Sequence, residues 1–142
     1  MTSIWHVPVT VKILNNRAKN SLSEHIGIEF TELGDDFLAA TMPVDERTKQ
    51  PFGILHGGAS CVLAETVASA AANFCIDNTQ KVCVGLELNI NHIKPVKSGV
   101  ITGTARPVHL GKTTQVWEIK ITQDTLLTAL SRLTLLVLDC KI

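Results

Sequence analysis

The chain has 142 residues, of which 45% are hydrophobic and 18% are charged. This is typical of a folded domain with its own core and not of a disordered segment. Acidic and basic residues balance at 13 each, which excludes the strongly basic surface that nucleic acids or anionic membranes attract. We therefore expect one domain over residues 1–142, without nucleic-acid or membrane partners.

The first third of the chain predicts one short helix and a hairpin. The helix is expected around residues 9–16, and the two strands at residues 27–33 and 37–43. Between the strands, residues 34–36 read Gly-Asp-Asp, which is typical of a hairpin turn. A polar loop over residues 45–51 follows.

A long helix is expected next. Gly57 and Gly58 permit a tight entry, and the residues from Ala59 to about Phe74 are good helix formers without proline. At ~1.5 Å per residue, about 18 residues would extend about 27 Å. Residues 52–76 are long enough for a membrane span, but they are rich in Ala, Gly and Ser. We therefore expect a helix inside the domain, with a sheet wrapped closely around it.

After residue 80 the apolar pattern changes to a period of two, which predicts strands. In the first of these strands, one face is expected to carry Val84, Leu86, Leu88, Ile90 and His92, and the other Gly85, Glu87, Asn89 and Asn91. Four strands are expected at residues 84–92, 100–108, 114–122 and 127–138. Because the turns between them are short, we expect an antiparallel meander. One long helix against one antiparallel sheet is an α+β architecture.

The face of this sheet turned away from the helix has no cover within one chain. It is expected to carry Trp117 or its neighbours and many β-branched residues. An apolar face of this kind is typical of an interface. We therefore expect at least a homodimer.

The four cysteines give no sign of a metal site. They form neither a CxxC pair nor a Cys/His cluster with zinc-site spacing. Three of them lie in apolar runs, so we interpret the set as buried thiols of a reducing compartment. The first residues lack a basic segment followed by an apolar one, which argues against secretion. A cytoplasmic protein is expected, with the free thiols Cys61, Cys75, Cys83 and Cys140.

Glu65 is the only Asp, Glu, Lys or Arg between Gln50 and Ile76. Removing a carboxylate from water is unfavourable by several kcal/mol, and a surface helix normally carries a stripe of several charges. A solvated surface glutamate is the alternative, but the missing stripe favours base or nucleophile chemistry. Cys61 and Ser69 share the face of Glu65, and the Ser69 hydroxyl is a candidate to hold the carboxylate.

The start of the helix is the second candidate feature. The run Leu55-His56-Gly57-Gly58 places free backbone N–H groups and the positive end of the helix dipole there. Glycines let a ligand approach the backbone, so the site suits a polarised carbonyl or a developing oxyanion. The alternative is a glycine turn that only redirects the chain.

Two further side chains are candidates on weaker grounds. His92 shares a strand face with Leu88 and Ile90, so it should point towards the helix, either as a site residue or as a core histidine satisfied by backbone. Gln50 precedes the Pro51-Phe52-Gly53 turn. Its amide either orients a water or a carbonyl, or stabilises the loop.

The chain resembles the hotdog-fold acyl-CoA thioesterases over nearly its whole length. The subgroup it resembles is the 1,4-dihydroxy-2-naphthoyl-CoA hydrolase and enterobactin-pathway proofreading type. The resemblance is carried by Met42-Pro43-Val44-Asp45, by Gln50-Pro51-Phe52-Gly53-Ile54-Leu55-His56-Gly57-Gly58, by Leu63-Ala64-Glu65-Thr66, by Val84-Gly85-Leu86-Glu87-Leu88-Asn89, and by Ser131-Arg132-Leu133-Thr134.

The resemblance implies a sheet wrapped around a central helix, dimers that share active sites, and commonly a homotetramer. It implies hydrolysis of an aryl- or acyl-CoA thioester to the free acid and CoA, without a metal or another cofactor. Residue by residue, it implies that Glu65 is the catalytic nucleophile or general base. It further implies that the Gly57 N–H polarises the carbonyl with help from His56, and that Gln50 positions the carbonyl or the water.

The resemblance also implies binding roles. Ser69 and His92 match positions that line the acyl pocket, and Gly58 belongs to the helix start that receives the substrate. Coenzyme A is expected at the turn of residues 109–112, with Gly111, Lys112 and Arg106 as candidate phosphate contacts.

Two other functions stay open at this point. The first is a hydratase or dehydratase acting on an acyl thioester, in which His56 or His92 would pair with a carboxylate. The second is a non-catalytic acyl-CoA binding protein. The acyl group itself, whether aromatic, medium-chain or linked to a carrier protein, is not determined by the sequence.

Overall fold

The computed structural model describes residues 2–140. Within them, three helices and six strands follow one another in the order α1 (Val11–Arg17), α2 (Leu22–His25), β1 (Glu29–Leu33), β2 (Leu38–Pro43), α3 (Gly57–Phe74), β3 (Lys81–His92), β4 (Val100–Leu110), β5 (Thr114–Gln123) and β6 (Leu126–Asp139). The predicted α+β class, the six strands and the long helix are confirmed. The prediction that residues 1–142 form one domain stays a prediction.

The helices follow local signals of different strength. The Thr10 hydroxyl accepts a hydrogen bond from the Ile13 N–H at 3.1 Å and caps α1, as expected of an N-cap residue. The long helix α3 has 18 residues and begins and ends where expected. Helix α2 was not predicted, because four residues are too few to show a helical period.

The strand order corrects the predicted meander. All six strands form one antiparallel sheet in the order β1-β2-β4-β5-β6-β3, so β3 pairs with β6 and not with β4. The connection over residues 93–99 crosses the end of the sheet. Seven extended residues reach ~23 Å, enough to pass three strand spacings of ~4.8 Å. This crossing carries residues 93–96 past the start of α3, where the Leu55 N–H donates to the Val96 carbonyl at 2.8 Å.

A bulge in β3 corrects the predicted alternation. The pairing with β6 shifts between Gly85 and Glu87, so Leu86 is the extra residue. Strand residues before the bulge are therefore out of phase with those after it. Leu88 and His92 face the helix as expected, but Val84 and Leu86 do not, and they are 40% and 59% exposed. Gly85 faces the helix in their place.

The core lies between α3 and the face of the sheet that packs on it. Strands β2 to β6 all contribute to this contact. Leu63, Ala64 and Val67 are fully buried, and a Cβ added at Gly103 of β4 would lie only 3.0 Å from the Leu63 side chain. Small residues on both surfaces let the helix and sheet approach closely. Trp117 is fully buried in this core, so only its neighbours remain for the outer face.

No helix within residues 2–140 is both long and apolar enough to cross a membrane.

Candidate active site

The loop between β2 and α3 is held by its own hydrogen bonds. The buried Thr48 hydroxyl donates to the Pro43 carbonyl at 2.7 Å, and the His56 N–H donates to the Thr48 carbonyl at 2.8 Å. The Gln50 N–H donates to the Ile54 carbonyl at 2.9 Å, around a turn in which Gly53 has φ of +79°. The loop thereby presents Gln50 and His56 at the start of α3.

The start of α3 has one occupied and one free amide. His56 is the N-cap residue, and its Nδ1 accepts a hydrogen bond from the Gly58 N–H at 2.8 Å. Because Nδ1 accepts, the neutral ring carries its proton on Nε2. The Gly57 N–H has no acceptor among residues 2–140. Gly57, not Gly58, is therefore the available donor at the positive end of the helix.

A cavity of about 280 Å³ lies beside this free donor, and Gln50, Gly57 and His92 line it. A Cβ added at Gly57 would lie 2.9 Å from His92 Nε2, so the imidazole stands directly next to the helix start. The Gln50 side-chain oxygen accepts a hydrogen bond from the Phe52 N–H, which leaves its NH₂ group as a donor. Three of the predicted site residues therefore meet in one cavity.

Glu65 lies elsewhere. Its side chain is exposed, and its carboxylate rests against Gly85 of β3. Within residues 2–140 no hydrogen bond or ion pair holds the carboxylate, so the expected Ser69 contact is absent. The apolar sequence around Glu65 also led us to expect a carboxylate shielded from water. Within one chain it is not shielded, because it lies beside β3, which is the edge strand of the sheet.

Glu65 and Gly57 lie well apart on α3. They are eight residues apart on the same helix, a separation of about 12 Å at 1.5 Å per residue. Reacting groups must lie about 3–3.5 Å from each other, and a glutamate side chain spans less than half of the gap. Within one chain, the carboxylate and the free amide are therefore not side by side.

Ser69 lines a second cavity, of about 400 Å³, between α3 and the two short helices. Its apolar wall includes Phe30 and Phe74. The Arg17 guanidinium also lines it and lies over the Phe74 ring at 4.9 Å from the ring centre. Arg17 has no carboxylate partner among residues 2–140.

The predicted phosphate contacts separate in the structure. Gly111 and Lys112 lie together in the turn between β4 and β5, where the Gly111 N–H donates to the Thr114 carbonyl at 2.9 Å. Arg106 instead pairs with Asp36 at 2.6 Å and lies over the Phe37 ring at 4.7 Å. The charge of Arg106 is thus partly satisfied, and Lys112 remains the exposed cation of this turn.

The cysteines are less uniformly buried than expected. Cys83 is buried, Cys61 and Cys75 are intermediate, and Cys140 is exposed at the end of the sheet. Burial raises the pKa of Cys75 to about 12 and that of Cys83 to about 11. Burial, and then the negative charge of Glu65, raise the pKa of Cys61. No group of three or more His, Cys, Asp or Glu side chains in residues 2–140 is placed to hold a metal ion.

Comparison with known proteins identifies the family of this chain. The Escherichia coli (strain K12) 1,4-dihydroxy-2-naphthoyl-CoA hydrolase is 49% identical over 118 residues, which cover 83% of this chain and 86% of the relative. The proofreading thioesterase EntH of Cronobacter turicensis is 50% identical over 118 residues, which cover 83% and 85%. A mutant thioesterase from Pseudomonas aeruginosa superposes with a TM-score of 0.95 at 46% identity, covering 96% of this chain and 99% of that one.

A second solved structure, a thioesterase from Haemophilus influenzae, superposes with a TM-score of 0.93 at 47% identity and covers 96% of this chain and 95% of its own. An antiparallel sheet wrapped around one long helix, with these neighbours, is the hotdog fold. Residues 52–129, more than half of the chain, match the family model of the thioesterase superfamily. The chain belongs to that superfamily and is a thioester hydrolase.

Two residues at these sites escaped the sequence reading. Gly85 was assigned to the opposite strand face, because a period of two does not reveal a bulge. Arg17 was not a candidate from the sequence, because its cavity is built from segments far apart in the chain. A glycine inside an alternating strand is a known sign of a bulge or a close approach, and it was the one signal available.

The His56 cap leads to a stability prediction. We expect His56→Ala to lower the free energy of unfolding by about 0.5–2 kcal/mol, because it leaves the Gly58 N–H without its acceptor. His56→Asn should recover most of this loss, since asparagine is a favoured N-cap residue. Urea unfolding at one fixed protein concentration measures both. Equal stability of the alanine variant and the natural chain would contradict the capping role.

Proposed function

We propose that the chain hydrolyses the thioester of an acyl-CoA in an active site shared by two copies. The observation that carries this proposal is the separation of the free Gly57 N–H from Glu65 by about 12 Å along one helix. Relatives about half identical to this chain are named for CoA-thioester hydrolysis or thioesterase proofreading. That chemistry needs both an oxyanion donor and a carboxylate at one carbon.

The Gly57 N–H is the proposed oxyanion donor. It points out of the positive end of an 18-residue helix and has no acceptor in the described chain. A thioester carbonyl oxygen hydrogen-bonded there becomes more electrophilic at carbon, and the charge that develops on the oxygen is stabilised. His56 holds the helix start through its cap bond, and the Gln50 NH₂ orients the carbonyl or the attacking water.

Glu65 is the proposed carboxylate. As a general base it takes a proton from water, whose oxygen adds to the carbonyl carbon before the C–S bond breaks and the CoA thiolate leaves. As a nucleophile it forms a mixed anhydride that water then opens. Both routes release the free acid and CoA.

Antiparallel pairing of two β3 edges is the proposed way in which two copies complete the site. Strand β3 pairs only with β6, and its outward Val84 and Leu86 are exposed. Such an edge is open to a further strand. In an antiparallel pair related by a twofold axis, the Gly85 end of one β3 meets the His92 end of the other. Glu65 of one copy then approaches Gly57 of the second.

The cavity beside Ser69 is the proposed acyl pocket. Ser69 lies one helix turn beyond Glu65, so an acyl group attached to the reacting carbon has a direct path into the cavity. The lining combines aromatic rings with hydroxyls and Arg17, whose guanidinium has no ion-pair partner within the described residues 2–140. This favours an acyl group with an apolar body and a polar or anionic far end.

The proposed coenzyme A contacts are Lys112 and Gly111, which lie in an exposed turn. Arg106 contributes less because Asp36 already pairs with it. Exposed apolar side chains on β4, among them Val108 and Leu110, suit a second interface and a homotetramer. The cytoplasmic location stays a prediction.

Substitution of Gly57 by proline tests the oxyanion donor. Proline lacks the N–H and is well accepted at the first position of a helix. Gly57→Ala is the matched control, because it adds a Cβ near His92 and keeps the N–H. We expect kcat of Gly57→Pro to fall on the order of 10²–10³ below that of Gly57→Ala, measured by thiol release from an acyl-CoA. Equal kcat values for the two variants would exclude Gly57 as the donor.

Mixing variants tests the shared site. Glu65→Ala and Gly57→Pro should each be nearly inactive alone, because every site lacks one group. Dimers re-formed from an equal mixture should regain at most about a quarter of the natural activity, since half of the dimers hold one intact site. A mixture of Glu65→Ala with Glu65→Gln is the control and should regain none. If the first mixture also regains none, the two groups do not come from different copies.

Arg17→Met tests the acyl pocket. Loss of a charge-assisted hydrogen bond should raise KM for glutaryl-CoA about tenfold or more, while KM for valeryl-CoA, with the same number of acyl carbons, changes little. Lys19→Met removes a neighbouring surface cation and should change neither value. A parallel change of both KM values in Arg17→Met would show that the guanidinium does not recognise the acyl terminus.

A further inference from the structure

Gly85 lacks the left-handed backbone conformation that favours glycine. The glycines with a left-handed backbone in residues 2–140 are Gly27, Gly53 and Gly99, and Gly85 is not among them. It pairs with Leu135 inside the β3–β6 ladder, where glycine weakens a strand. We therefore look for the role of this glycine in what lies where its side chain would be.

That space is taken by the Glu65 carboxylate. A Cβ added at Gly85 would overlap Glu65 Oε1, well inside the 3.0 Å that real Cβ contacts respect. The next neighbours, Glu65 Cδ at 3.5 Å and Leu133 Cδ1 at 3.8 Å, are ordinary contacts. An alanine methyl would thus meet one group only, and that group is the flexible end of the Glu65 side chain.

Nothing else in the described chain restrains this carboxylate. It has no hydrogen-bond or ion-pair partner within residues 2–140, and Ser69 does not reach it. The bulge at Gly85–Glu87 turns the bare Cα of Gly85 towards the helix and Leu86 away from it. Bulges often re-aim residues beside active sites in this way.

We propose that Gly85 is a positioning residue, whose missing side chain sets where the Glu65 carboxylate stands relative to the thioester. This inference rests on the proposed catalytic role of Glu65. An alanine at this position would move the carboxylate oxygen by about 1 Å, and a misplacement of that size can lower a rate about 10²-fold. The fold should tolerate the methyl, because a side-chain end can move where backbone cannot.

The test compares Gly85→Ala with the natural chain by thiol release from an acyl-CoA. We expect kcat to fall on the order of 10²-fold, with KM within about twofold, and with Tm and the mass on size exclusion unchanged. A merely structural role would instead lower Tm or dissociate the oligomer. A natural kcat in Gly85→Ala overturns the proposal.

A double-mutant cycle with Glu65→Ala separates positioning from indirect damage. With no carboxylate to displace, Gly85→Ala should not lower the residual rate of Glu65→Ala any further. Gly103→Ala is the control, because its Cβ would meet Leu63 and not a carboxylate. Gly103→Ala should lower Tm, and its effect on the rate should be the same in the natural chain and in Glu65→Ala. Equal effects of Gly85→Ala in both backgrounds overturn the proposal.

The same cycle distinguishes this proposal from the proposed function. If Glu65→Ala turns over substrate as fast as the natural chain, the Glu65 carboxylate is not catalytic, and both proposals are wrong. Collapse of turnover in Glu65→Ala, together with a natural kcat in Gly85→Ala, leaves the catalytic role of Glu65 intact and removes only the role of Gly85.

Discussion

The close packing of α3 against the concave sheet is the constraint on which the rest of this structure depends. Alanine, glycine and serine make up most of the helix, and where the larger Leu63 side chain meets the sheet, Gly103 leaves room for it. The N-terminus of this helix lies beside a cavity, where the Gly57 N–H has no acceptor within residues 2–140. The same close packing confines the one charge of the helix, Glu65, to the strip that faces the edge strand.

Helix geometry separates the two candidate groups of the site. The free amide and the carboxylate share one helix and lie about 12 Å apart along it. The edge strand β3 runs opposite to α3, so that Gly57 lies beside His92 while Glu65 lies beside Gly85. In the dimer that we propose, a second copy at that edge reverses the order, so that each helix supplies one group to each of two sites. Gly85 lies directly under the Glu65 carboxylate, and a methyl group at this position would overlap the carboxylate oxygen.

Much of the fold was readable in advance because its signals are local. The helix from Gly57 to Phe74 and the strands of the second half follow from hydrophobic period, turn residues and helix formers. The strand order was not readable, because short turns suggest neighbours while β3 in fact pairs with β6 across the sheet. The bulge was equally hidden. One extra residue, Leu86, reverses the faces of Val84 and Gly85 without changing the composition of the strand.

By itself, the sequence indicated two candidate features of the site: an isolated Glu65 on a helix without other charges, and a glycine entry at the helix start. These are properties of residue type and spacing, and they hold in any packing that keeps the helix. Only the tertiary structure decided which of the two helix-start amides is available, because His56 occupies Gly58. It also decided that Glu65 is open at an edge and rests on Gly85, because those relations join segments that are distant in the chain and depend on strand order and register.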